Sequence, residues 1–189
     1  MQSKLLCFAC LAVLGPAVWG CGGDDHGSDG GATTADPDGG TGAIHGSVAS
    51  RAFDHVAASW FIGAPDDPQH TRVIYVFDAL VACAEIAKPG WDQTVADGSQ
   101  VVEMKLIGTQ AGDYPVAADG HPATGEASVN YTLTSRTATP QETSAKSGHV
   151  TLDHIKDKAT AGGSFDLVLP GGNVTGTFHA AYCAAGHEP

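Results

Sequence analysis

Apolar and polar residues alternate with a period of two through much of the chain beyond residue 43. Gly125 to Ser135 reads GEASVNYTLTS, with Ala127, Val129, Tyr131 and Leu133 on one face and Ser128, Asn130, Thr132 and Thr134 on the other. This is the pattern of a half-buried strand. It recurs at Ile44-Gly46-Val48, Val56-Ala58-Trp60-Ile62, Val73-Tyr75-Phe77 and Val102-Met104-Leu106, and again from His149, with Val150 and Leu152 inward. A hairpin is predicted over GSFDLVLPGGNVTGTFHAAYC. There Phe165, Leu167 and Leu169 run in, Pro170-Gly171-Gly172-Asn173 turn, and Val174, Gly176 and Phe178 return.

One segment departs from the alternation. Asp78 to Lys88 (DALVACAEIAK) is alanine-rich, opens on an Asp suited to an N-cap and stops at Pro89-Gly90, so a short helix near 79–88 is favoured over a continued strand. About eight strands with at most one helix predict an all-β fold, an antiparallel β-sandwich or barrel, over residues 43–189.

The first forty residues are of another kind. Lys4 is followed by an apolar run from Leu5 to about Val18, interrupted by Gly15-Pro16; the run is shorter than the roughly 18–20 residues of a membrane span, which favours a cleaved leader over 1–20. Val18-Trp19-Gly20-Cys21 resembles a bacterial lipobox. That resemblance implies cleavage before Cys21 and diacylation of its sulfur, hence a partner in the membrane through a lipid anchor. Gly22, rather than Asp, follows the cysteine, which by analogy with Gram-negative sorting points to the outer membrane, facing the periplasm or the exterior. Residues 21–42 then form a Gly/Asp-rich tether with five aspartates, no base and no large apolar residue in Gly22 to Gly42. Such a segment cannot build a core and spans about 25 Å as a random coil.

An exported chain changes the reading of its cysteines. Cys7 and Cys10 lie in the leader and Cys21 is assigned to lipid, leaving Cys83 and Cys183 as an even pair in an oxidising compartment. A disulfide between them is expected. The formal charge of −12, one unit more negative once Lys4 is removed with the leader, repels phosphate backbones. No basic cluster offsets it, so nucleic-acid binding is excluded.

The final run GHVTLDHIKDKATAGGSFDLVLPGGNVTGTFHAAYC is similar to the endings of uncharacterised Gram-negative bacterial lipoproteins, in which G-x-V-T-L precedes G-x-F-D and V-x-G-x-F-x-A-x-x-C. The resemblance implies a β-hairpin fold, lipidation at Cys21 and a bonded Cys183. It brings no activity with it.

The chain has no GxSxG elbow, HExxH helix, P-loop or GxGxxG element. Ser144-Ala145-Lys146 falls in a polar stretch without the spacing of a Ser/Lys catalytic pair. Nine histidines are present but scattered. His149 and His154 should face apart on a regular strand unless a bulge intervenes, and His179 should face outward. These three, with Asp153, are the weak candidates for a metal site assembled across strands; no cofactor is otherwise expected. Trp60 is read as core and Trp91, after a turn, as more exposed. The preferred function is a non-enzymatic envelope lipoprotein whose domain binds a protein or small-molecule ligand through loops Gly63-Gln69, Asp113-Gly125 or Arg136-Ser147. The alternative is a hydrolase or metal-dependent enzyme with a site built across strands.

Overall fold

The structure, a computed structural model, describes residues 39–63, 71–156 and 158–184. The leader, Cys21, nearly all of the tether and most of the Gly63-Gln69 loop lie outside these residues.

Among the described residues, eleven strands make up one sheet. In chain order they are β1 (Thr41–Val48), β2 (Arg51–Ala52), β3 (Ala58–Gly63), β4 (Thr71–Phe77), β5 (Gln100–Ile107), β6 (Gly112–Pro115), β7 (Ala127–Leu133), β8 (Gln141–Ser144), β9 (Ser147–Lys156), β10 (Thr160–Leu169) and β11 (Gly172–Tyr182). Between β4 and β5 lie a one-turn helix, α1 (Cys83–Ile86), and a 3-10 turn at Trp91–Gln93. The strands run in the order β6-β9-β10-β11-β3-β4-β5-β7-β8, with β1 also on β11 and β2 on β1.

The sheet curls until its ends meet. After β8 the chain bends through Ala145 and Lys146 into β9, and these two residues donate backbone hydrogen bonds to Val129 on β7 and Val168 on β10 (both 2.8 Å). At the other end Val116, just past β6, bridges Ala127 of β7. The all-β reading holds, but the sheet is mixed rather than purely antiparallel. Where β11 meets β3 the strands are parallel, pairing Ala181 with Trp60 and Tyr182 with Phe61. The cause is β1, which is antiparallel to β11 along Thr41–Gly46 and reaches β3 through an antiparallel Gly40–Ser59 bridge. Two strands that are each antiparallel to a third are parallel to one another. Ser59, fully buried, seals this junction by donating from its hydroxyl to the carbonyls of Thr41 (3.2 Å) and His179 (3.1 Å).

The inside of the curl is filled by Ile44, Phe61, Ile74, Val76, Val102, Met104, Leu106, Val129, Tyr131, Val150, Leu152, Phe165, Leu167, Val174 and Phe178. Gly176 serves this packing: it faces Phe165 in the hairpin register, and a Cβ there would come to 2.6 Å of the Phe165 ring. A second core lies on the outer side of β3, β4 and β5, built from Trp60, Ile62, Val73, Tyr75, Phe77 and Val101 and roofed by Val81, Ile86 and Val95. The Trp60 and Val73-Tyr75-Phe77 faces identified by alternation therefore belong to this outer core. In β4 every residue from Thr71 to Phe77 is buried.

Candidate functional site

The roof of the outer core is the excursion from Asp78 to Gly98, and several independent ties fix it. Asp78 does not cap the helix as its position suggested; the N-cap is Ala82, without a side-chain hydrogen bond. The Asp78 carboxylate instead accepts from the Gln100 backbone N–H (2.8 Å) and side-chain amide (3.2 Å), and Gln100 Oε1 accepts from the Tyr131 hydroxyl (2.9 Å). Burial pushes the Tyr131 phenol up from its ordinary range, which keeps it a neutral donor. In the middle of the excursion Trp60 Nε1 donates to the Val81 carbonyl (2.6 Å). At its far end Thr134 Oγ1 donates to Ala96 O (2.6 Å), and Arg136 donates to the Val95 and Thr94 carbonyls (3.0 Å each).

The disulfide completes the set. Cys83 and Cys183 are bonded across 100 positions of sequence, the pair expected from the cysteine count. Because Cys183 follows directly on β11, the bond fastens α1 to the end of the sheet strand that packs against β3.

Beneath the pinned excursion is a cavity of about 590 Å³. Its apolar surfaces come from Ile62, Tyr75, Ile86 and Trp91, and its polar groups from Lys88, Asp92, Glu103 and Glu142. Trp91, partly exposed, stands edge-on to both Tyr75 (centroids 5.4 Å apart) and Phe77 (5.6 Å). Its ring is thus held by packing while part of it remains accessible. Lys88 pairs with Glu85 at 2.6 Å, and Asp92 and Glu142 add carboxylates at the rim. A preformed cleft that combines aromatic and aliphatic surface with polar groups can seat a small ligand. Sequence reading separated Trp60 from Trp91 correctly: Trp60 is 1 % exposed. It did not find Tyr75, Glu103 or Glu142, whose convergence depends on strand register.

The candidate histidines lie on the opposite wall, the outward face of β9, β10 and β11. A bulge opens β9 against β10: Gly163 pairs with Leu152 but Gly162 pairs with His154, leaving Asp153 as the extra residue. Past the bulge the face inverts, so His154 turns outward with His149, contrary to the expectation that they face apart. His149 Nδ1 donates to Asp113 Oδ2 on β6 (2.8 Å). His154 instead reaches across Gly162 to His179 on β11, with ring centroids 5.5 Å apart. His149 stands opposite Asp166 and His154 opposite Gly162 on β10, four residues or about 13 Å along the strand, so it is not part of the pair. Among the described residues, no three His, Cys, Asp or Glu side chains form a set that could hold a metal ion.

The proposed contact loops are also redrawn. Asp113 to Pro115 belong to β6 and Gln141 to Ser144 to β8, and Ala145, in the supposed polar loop, is 3 % exposed. No helix among the described residues is long and apolar enough to cross a membrane. Compared with protein-family profiles, curated proteins and solved structures, the chain matches none of them.

Proposed function

We propose that the chain is a lipid-anchored protein of the bacterial envelope whose β domain is a binding module, taking a small ligand in the groove at Trp91. The observation that carries the binding half is the pinned aromatic cavity: a ring held edge-on, roofed by a segment tied down at both ends and in the middle. A preorganised site loses little entropy when it is filled. The aromatic surfaces suit a flat apolar body, and the rim carboxylates of Asp92 and Glu142 suit a ligand that donates hydrogen bonds or carries an amine. The anchoring half rests on Val18-Trp19-Gly20-Cys21 and the tether that follows.

Each half has its own test. The full chain in detergent, titrated with small aromatic amines and with monosaccharides, is followed by tryptophan emission and thermal shift, since a ligand that binds only the folded state raises the melting temperature. A saturable ligand weakened about tenfold or more by Trp91→Ala supports the groove. If every saturable ligand binds Trp91→Ala equally well, the groove is not the site. For the anchor, intact mass should show an acyl adduct on Cys21 and Cys21→Ser should leave the membrane fraction, because two or more acyl chains hold stably where one is marginal. An unmodified, soluble chain would refute it.

A further inference from the structure

We propose that His154 and His179 form a two-histidine chelate for a divalent transition metal of the zinc class, independent of the groove. Three features of the outer wall build it. The bulge at Asp153 turns His154 to the outer face. Gly162 stands between the two histidines in the cross-strand register, His154↔Gly162↔His179, and its missing side chain leaves the floor on which the His154 ring lies. A Cβ at Gly162 would collide with His154 Cε1 and come to 3.0 and 3.1 Å of the two ring nitrogens. Finally, the backbone at His179 is fixed, because its carbonyl accepts from the buried Ser59 hydroxyl at the β1–β3–β11 junction.

The spacing suits one ion between the rings. With a Zn–N bond of about 2.0–2.1 Å, two imidazoles on a tetrahedral zinc have their ring centres about 5 Å apart. The observed separation is 5.5 Å, with the planes tilted by 41°. Two protein nitrogens leave the remaining positions to water or to a donor from another molecule, as in an open site.

The test is zinc titration of the untagged full chain in detergent by calorimetry, with imidazole chemical shifts read in parallel. About one zinc per chain should bind, weakened about tenfold or more in His154→Ala, in His179→Ala, and in Gly162→Ala, which keeps both ligands but displaces one ring. His149→Ala and His45→Ala should leave the affinity unchanged. In the unaltered chain zinc should shift the ring signals of His154 and His179 and spare those of His45 and His149, a reading that does not depend on any variant folding. Zinc binding that survives both His154→Ala and His179→Ala, or no saturable binding below about millimolar zinc, would overturn the proposal.

Discussion

Two walls of the same sheet are built on different terms. The wall of β3, β4 and β5 is covered on its inner side by the interior of the curl and on its outer side by the roof from Asp78 to Gly98, so β3 and β4 are largely apolar on both faces, while β5 turns Glu103 and Lys105 outward beside the roof. The wall of β9, β10 and β11 is covered on one side only, and its outward face is a field of Thr, Ser, Asp and His. The same backbone ladder thus supports two kinds of surface, and the difference lies in whether a chain excursion is fastened over it. Covering a wall creates a sheltered groove at the margin of the roof; leaving it bare displays side chains in a register set by strand pairing.

The sharpest way to break this contrast is to remove the post on which the roof rests. Trp60→Ala should cost about 3–5 kcal/mol, because it deletes a fully buried indole and the hydrogen bond to Val81. Chemical denaturation would measure it, and a loss below about 1 kcal/mol would mean that the outer core contributes little. Next comes the tie itself. Reduction, or the double change Cys83→Ser with Cys183→Ser, should cost about 2–5 kcal/mol and lower the melting temperature by several degrees, with Trp91 emission shifting to the red as the roof loosens. An unchanged melting curve would show that the hydrogen bonds at the ends of the excursion suffice.

A matched pair of outward-facing substitutions sharpens the comparison further. Val73→Thr buries a hydroxyl under the roof and should cost about 1–3 kcal/mol. Thr175→Val, on the bare wall, should change stability by about 0.5 kcal/mol or less. Equal costs would erase the distinction between the two walls.

The smallest expected effect lies at the approach to β3. The hydrogen bond with Asp54 raises the His55 pKa above its ordinary 6.5, burial opposing weakly and Asp78 assisting. A histidine whose folded pKa is raised contributes stability that is fully present below about 6.5 and is lost as the pH rises through the folded value. Since His55 is exposed, the contribution is slight and solvent screens it. An NMR titration should place the His55 midpoint above 6.5, and Asp54→Asn should bring it back toward that value.

The bare wall was the more legible in sequence. In β9, β10 and β11 one face is apolar and the other polar, so Val150, Leu152, Phe165, Leu167, Val174 and Phe178 could be assigned inward from alternation alone, and they are buried. The covered wall misled the same reasoning. Val73-Ile74-Tyr75-Val76-Phe77 is a continuous apolar run, the signal of a strand buried on both sides, and taking alternate residues from it found only the outer core. The His154 orientation could not be read because a bulge adds a residue without marking the sequence, although the Gly162-Gly163 pair opposite it was a usable hint. The groove was the least legible: Tyr75, Trp91, Glu103 and Glu142 meet through strand register and through a roof whose path depends on Asp78, Trp60 and the disulfide together.

The position of β11 has a consequence for how the chain is assembled. It follows every other strand of the sheet in chain order, yet it is the one that touches β10, β1 and β3 at once and leads directly into Cys183. During synthesis β1 and β3 must therefore wait, with their edges unpaired, until Tyr182 has been made. A chain interrupted before Gly172 would keep the apolar segments of β1, β3 and β10 and lack the strand that joins them, and an open edge of that kind invites pairing with other chains. The order in which the strands are made thus leaves the facing edges of β1, β3 and β10 open until last, and a single late segment closes all three.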